Sequence, residues 1–457
     1  MKILFLFVLV LGNSTFSQSF NKDHIVDTDV GFVRIQQSGD FDNDDDQDLL
    51  SVSATLVAWY ENLDGLGNYG DPITIDIDMG QSFNQLVVDL DKDGKEDILI
   101  SYFDQDLIVW YQNLGGGTFA PFVVLASGLS QASGIAAGDL DGDNDLDLVL
   151  GVSNNSGLYW IEHLDGNGSF GPLIPISNTL SQARRQVVAD IDGDNDLDVL
   201  SNSAGSSIMS WFENTDGQGD FSIQHIVAVG GLYENYFHMS DLDGDSDLDI
   251  LSNKVNEILW RENLGGGNFG PAQIIFSYTD PTPDLASVYA VDLDNDGDLD
   301  VTYDSGYDFG KVFHLNTDGQ GNFGPANILT SPDGGTSGNN LPVDIDGDGD
   351  MDLINTSLFF EMNNRNDIYW YENLTILSIT DIEINDLILS PNPVDEILSI
   401  TSKDDLQNAI FYQVIGQSIL VTKQNFDKID VSFLPKGIYL VEVQTNNGKT
   451  IKKIIKD

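Results

Sequence analysis

The chain has 457 residues, 41% of them hydrophobic, and a formal net charge of −55. Length and composition allow two or three domains with a sizeable core and exclude wholesale disorder. The charge excludes a nucleic-acid surface and disfavours docking on anionic lipid, while the absence of cysteine excludes disulfides, thiolate metal sites, a cysteine nucleophile and a lipidated N-terminal cysteine.

In chain order, the first element is a leader. Lys2 precedes the apolar run Ile3 to Leu11, and Thr15 and Ser17 follow at the −3 and −1 spacing of a signal-peptidase site. Residues 1–17 read as a secretory signal peptide. The run is too short for a mature membrane anchor, and no other stretch is a transmembrane candidate.

From 18 to 374 the chain repeats itself. The string D-x-D-x-D-x-x-x-D starts at Asp40, Asp89, Asp139, Asp190, Asp241, Asp292 and Asp344, with successive starts 49, 50, 51, 51, 51 and 52 residues apart. A second string follows each acidic loop: Trp59 to Asn62, Trp110 to Asn113, Trp160 to His163, Trp211 to Asn214, Trp260 to Asn263 and Trp370 to Asn373. In the sixth unit Phe313 replaces the tryptophan and Asn316 keeps the asparagine. All 6 tryptophans of the chain occupy this one place, which reads as one core aromatic per unit.

A glycine-rich turn comes next, as in Asp165 to Pro172 or Asp318 to Pro325, and then a short apolar strand. Each unit thus holds about four short strands and no helix, the pattern of one propeller blade per repeat. The fold class expected is all-β: a seven-bladed β-propeller followed by a small β-sandwich. After Asn373 the turn and last strand are missing, while Ser19 to Val26 resembles Ser169 to Ile176. The spare N-terminal strand is expected to complete the seventh blade and latch the ring, leaving no open sheet edge.

Positions 1, 3, 5 and 9 of the acidic loops are aspartate without exception. They are Asp40, Asp42, Asp44 and Asp48; Asp89, Asp91, Asp93 and Asp97; Asp139, Asp141, Asp143 and Asp147; Asp190, Asp192, Asp194 and Asp198. The series continues with Asp241, Asp243, Asp245 and Asp249; Asp292, Asp294, Asp296 and Asp300; and Asp344, Asp346, Asp348 and Asp352. Alternating carboxylates project several oxygens into one small site, which suits a hard cation. Calcium is the expected occupant, up to seven ions in structural roles: magnesium keeps its waters, and zinc wants nitrogen or sulfur. Position 2 is always apolar and is expected to anchor the loop in its blade. The first two loops are expected to bind more weakly, because Asp45 takes a place usual for a small turn residue and Lys95 stands where other loops have aspartate.

These units resemble the FG-GAP or VCBS-type repeat, the blade of integrin-α-like propellers, over roughly Phe20 to Asn373. The resemblance implies structural calcium in the hairpin between the first two strands of each blade, and ligands on the opposite face. Past a linker at 375–386 the composition changes, and 8 of the 19 basic residues fall between Lys403 and Lys456. Ser390-Pro391-Asn392-Pro393-Val394, Val414 to Gln417, Leu434 to Tyr439 and Lys452 to Lys456 follow in order. That order is similar to the C-terminal sorting domain of type IX secretion, at 387–457. The resemblance implies a small β-sandwich, contact with the type IX secretion machinery, and a secreted or outer-membrane-surface location.

The expected function is a calcium-binding adhesin or glycan- or protein-binding module with an extracellular partner. The alternative is a secreted polysaccharide-degrading enzyme on a propeller scaffold. There is no G-x-S-x-G or H-E-x-x-H, and the histidines at 24, 163, 225, 238 and 314 are scattered, so catalysis is not expected. Candidate ligand loops are Tyr102-Phe103, 303–309, 355–367, Arg184-Arg185 and 233–237. Their aromatics either meet a sugar or protein ligand or pad the blade edges.

Overall fold

The computed structural model describes residues 20–28, 34–154, 157–230, 236–254, 256–277, 287–305, 311–329, 336–358, 367–374, 387–403, 406–413, 418–445 and 448–456. The leader, the linker at 375–386, the segment Val414 to Gln417 and parts of three candidate ligand loops lie outside them. Two compact units divide the chain, Met1–Thr375 and Ile376–Asp457.

The first unit is a seven-bladed propeller. Six four-stranded antiparallel sheets follow one another at 34–77, 82–127, 132–177, 183–229, 237–277 and 288–329. The seventh takes three strands from 336–373 and its outer strand, Phe20–Asp27, from the N-terminus, paired antiparallel with Ile368–Asn373. First strands of successive blades are neighbours all the way round, and that of the first blade also meets that of the seventh. The ring is closed, as the misplaced strand in the sequence requires.

Burial explains the sequence of each strand. Second strands such as Asp97–Tyr102 are buried along their whole length because a blade is covered by neighbours on both faces. Outer strands such as Ile73–Ile77 are half-buried or exposed and correspondingly more polar. Core clusters therefore lie between blades: Phe41, Val52 and Trp59 of the first pack with Ile98, Ile100 and Tyr111 of the second. Leu49 and Tyr60 of the first blade pack with Ile345, Ile354 and Trp370 of the seventh.

The six tryptophans are at most 5% exposed. Each meets a turn glycine of the next blade: a Cβ at Gly117 would lie 2.3 Å from the Trp59 ring, and one at Gly67 would lie 2.3 Å from Trp370. Phe313 departs from this rule because the blade after it, the seventh, has no glycine turn. Phe20 of the N-terminal strand packs there instead, its ring centroid 5.6 Å from that of Phe313. A phenylalanine on each side fills the space a tryptophan over glycine fills elsewhere.

The second unit has two antiparallel sheets, one of Ile388–Ser390, Ile397–Thr401 and Ile429–Asp430, the other of Ser418–Thr422, Leu406–Gln413, Gly437–Thr445 and Gly448–Lys456. Val394, Leu398, Ile400, Phe411, Val441 and Ile454 share one core, as in a small sandwich.

Candidate metal centres and the interblade clamp

Each acidic loop joins the first and second strands of its blade. Positions 4 and 6 have left-handed backbone in all seven loops, from Asn43 and Asp45 (φ 67° and 71°) to Gly347 and Gly349 (φ 70° and 94°). This alternation explains the Gly, Asn and Ser at these places. It also turns the loop's amides inward. Asp139 Oδ1 accepts the Gly142 N–H at 2.9 Å and its Oδ2 accepts the Asn144 N–H at 3.0 Å. Asp143 accepts the Asp145 N–H at 2.8 Å.

The aspartates converge. Positions 1, 3 and 9 of the first three loops (Asp40, Asp42, Asp48; Asp89, Asp91, Asp97; Asp139, Asp141, Asp147) each bring carboxylate oxygens within 4.8 Å of one another. Positions 1, 3 and 5 do so in the fourth and fifth loops (Asp190, Asp192, Asp194; Asp241, Asp243, Asp245). One Oδ1 each of Asp42, Asp243 and Asp294 at position 3, and of Asp292 and Asp344 at position 1, is buried without a hydrogen-bond partner. Buried carboxylate oxygens left unpaired are costly, and a cation satisfies them. The donor set is entirely oxygen, so these clusters fit a hard metal ion.

Position 9 does a second job. Asp147 is fully buried, and its Oδ2 accepts the Leu140 N–H at 2.9 Å while its Oδ1 accepts the His163 N–H at 2.7 Å. The same two bonds recur in every loop, for instance at Asp48 (from Phe41 and Asn62) and Asp352 (from Ile345 and Asn373). One carboxylate thus ties the acidic loop to the third strand of its own blade. Burial dominates its acidity and outweighs these amides, pushing the carboxyls up to about 7 at Asp48, Asp147, Asp198 and Asp352 and to about 8 at Asp300. Asp97 and Asp249 rise to about 6.

Two loops differ. In the second, Lys95 forms an ion pair with Asp93, and Gln112 donates to Asp91 at 2.6 Å, so two carboxylates are already engaged. In the seventh, position 7 turns inward: Asp350 is 2% exposed and neither of its oxygens has a hydrogen-bond partner. Burial, then Asp348, Asp352, Asp346 and Asp344, push its carboxyl up to about 8. This loop gathers five carboxylates.

Two sets of residues escaped the sequence reading. The glutamate of the tryptophan string stands close enough to position 3 to help raise it, after burial and Asp44, as Glu61 does for Asp42, pushed up to about 6. The asparagine of the string is an interblade clamp. Asn113 Nδ2 donates to the Phe41 carbonyl of the preceding blade's acidic loop at 2.9 Å, and its Oδ1 accepts the Gly115 N–H of its own turn at 2.9 Å. Asn62, Asn214, Asn263, Asn316 and Asn373 make the same bond to Ile345, Leu140, Ile191, Leu242 and Leu293. The position-2 residue is therefore both a buried anchor and the acceptor.

His163 is the exception. Its Nε2 accepts the Gly168 N–H at 2.8 Å, which leaves the proton on Nδ1, buried and without a partner. His163→Asn is expected to install the seventh clamp and raise stability by about 1 kcal/mol, read from the urea midpoint. An unchanged or lowered midpoint would show that the imidazole's stack on Phe170, at 4.3 Å, outweighs the missing bond.

The candidate ligand loops divide. Tyr102 and Tyr303 are fully buried, hydrogen-bonded to Tyr111 and His314, and pad the blade rather than face solvent. Of the two readings, padding holds for these two, because each lies at the end region of a second strand covered on both faces. His163 and His314 are buried in packing roles, as their strand positions imply.

Family models place an FG-GAP-like repeat at 89–150, 190–252 and 241–303, and a secretion system C-terminal sorting domain at 389–457. No curated protein matches the sequence. Among solved structures, a lectin of Agrocybe aegerita described as recognising non-reducing terminal N-acetylglucosamine aligns with a TM-score of 0.53 and 20% identity, over 66% of this chain and 81% of its own. BBS1N, solved in complex with ARL6DN, aligns at 0.50 and 7% identity over 76% of this chain and 96% of its own. Both likenesses are of fold. The sorting domain directs the protein through type IX secretion to the cell surface or beyond, and among the described residues no helix is long and apolar enough to cross a membrane. The chain carries FG-GAP-like repeats within a seven-bladed propeller, and a secretion system C-terminal sorting domain.

Proposed function

We propose that the protein is a calcium-loaded binding module of the cell exterior, an adhesin or a glycan- or protein-binding propeller, and not an enzyme. The observation that carries this reading is the set of buried, unpaired carboxylate oxygens found in the first, fifth, sixth and seventh loops, at Asp42, Asp243, Asp292, Asp294, Asp344 and Asp350. Oxygen-only donors at high charge density favour calcium, which extracellular sites typically hold at roughly 0.1–1 mM. The conspicuous carboxylates are committed to these loops and to the strands they tie, which leaves a rigid frame with variable loops at its other end. The lectin neighbour recognises a sugar on the same fold, and a sugar ligand suits this chain's exterior destination.

Isothermal titration of the full chain with calcium is expected to show several sites in the micromolar-to-millimolar range; a flat titration up to several millimolar would sink the reading. Asp350→Asn is expected to weaken one site by roughly tenfold, because the seventh loop loses one of five carboxylates while the other loops keep theirs. Unchanged affinity would show that Asp350 stays outside the ion's reach.

A further inference from the structure

The chain has 74 acidic and 19 basic residues. In such a chain a basic side chain that is not fully exposed should find a carboxylate, and in the propeller Lys92, Lys95, Lys254 and Lys311 each do. Among the described residues, Arg184 and Arg185 do not. Both are half-buried on the first strand of the fourth blade. The Arg184 Nε is buried without a partner, and its guanidinium reaches only Gln182, at 3.5 Å. The Arg185 guanidinium lies 4.5 Å from the centroid of the Tyr236 ring. That contact is worth about 0.5–1 kcal/mol and engages the face of the guanidinium, leaving its N–H donors available to a ligand.

The surroundings repeat from blade to blade. Counting back from each loop's first aspartate, Arg185 and Tyr236 stand five residues before it, and His238 and Tyr289 stand three before it. The group thus spans the inner strands of three successive blades, near the strand ends away from the acidic loops. The His238 and Tyr289 rings are 6.1 Å apart, edge to face. The remaining positions of these two tiers carry Gln, Leu, Ala, Val, Ile, Asn, Gly and Ser, none of them charged. Burial and then Arg185 hold His238 below the usual histidine range, which fits a guanidinium with no counter-charge beside it.

We propose that Arg184 and Arg185, flanked by Tyr236, His238 and Tyr289, form a binding site for the carboxylate or sulfate of an acidic sugar at the mouth of the inner ring. The guanidinium fork matches an oxyanion in two-pronged geometry, and the aromatic faces suit a pyranose ring. The chain's negative charge repels polyanions at long range, so the site selects short or locally charged segments that reach the arginines. This assignment rests on the binding-module reading and gives its ligand a class.

The test is binding of the full chain, in 2 mM calcium, to a uronic-acid tetrasaccharide, a sulfated tetrasaccharide and a neutral one. One or both acidic sugars are expected to bind saturably, and the preferred one names the anion. Arg185→Gln is expected to cost tenfold or more in affinity without shifting Tm or calcium binding. If that variant melts early, Arg185→Lys, which keeps the charge but loses the fork, is expected to bind several-fold more weakly. Equal binding by a folded variant, or binding of the neutral sugar alone, overturns the assignment and leaves the binding-module reading standing. Binding of no sugar overturns the assignment and the glycan form of that reading together.

Discussion

Excess chelator is expected to lower the melting temperature of the protein by on the order of 10 °C or more at neutral pH. An ion present at ten times its Kd stabilises the folded state by about 1.4 kcal/mol per site, so seven such sites amount to roughly 10 kcal/mol. That sum rivals the whole stability of an ordinary domain. With an unfolding entropy of about 2.1 cal/mol/K per residue over roughly 350 residues, it corresponds to about 13 °C. Calorimetry with and without calcium measures this directly, and an unchanged Tm would remove calcium from the structural account.

The pH dependence carries the same signature. In the metal-free loops the buried aspartates at position 9 and at Asp350, and the half-buried Asp42, are pushed up to between about 6 and 8, whereas in the unfolded chain they titrate near 3.8. The folded, metal-free form therefore holds protons that the unfolded form has released. Its stability is expected to fall as pH rises from about 4 to about 8 and to level off beyond. Calcium competes with those protons, so its stabilising effect is expected to be largest above pH 8 and to shrink towards pH 5. Parallel slopes with and without calcium would contradict this.

The second large effect separates the two jobs of the loop. Asp147→Ala is expected to destabilise by about 2–6 kcal/mol whether or not calcium is present, because it orphans two buried amides, of Leu140 and His163, at about 1–3 kcal/mol each. Asp141→Ala, at position 3, is expected to cost little in chelator and about the value of one bound ion in calcium. Urea unfolding of both variants in both conditions distinguishes them; a cost at Asp147 that, like that at Asp141, vanishes in chelator would mean that position 9 acts only as a ligand.

Much of this was legible in the residues. A fixed spacing near 50, one tryptophan per unit and a displaced N-terminal strand are properties of a closed ring, and the ring is what the chain forms. The clamp was not legible, although its asparagine survives even where Phe313 replaces the tryptophan. Its partner is a backbone carbonyl on another blade, 72 residues away for Asn113, and backbone atoms leave no mark in a sequence. The double duty of position 9 was hidden for the same reason, since its partners are amides. For Tyr102 and Tyr303 the sequence left ligand contact and padding both open, because a strand end and a loop look alike until the neighbouring blade covers one of them. The arginine pair was visible as a candidate ligand loop, but only the lack of a carboxylate partner among the described residues gives it its meaning.

The latch also bears on how the molecule meets tension. The sorting unit follows Asn373, the last residue of strand Ile368–Asn373. That strand is not at an edge: Phe20–Asp27 pairs with one side of it and Asp352–Leu358 with the other. A pull applied through the C-terminal unit therefore has to draw a strand out of two ladders together. Had the missing outer strand been left unfilled, the tethered strand would have had one flank bare and could have been peeled away one rung at a time. Wherever the C-terminal unit bears load, during export or at a surface, borrowing the first strand of the chain to flank the last reinforces the place where that load enters.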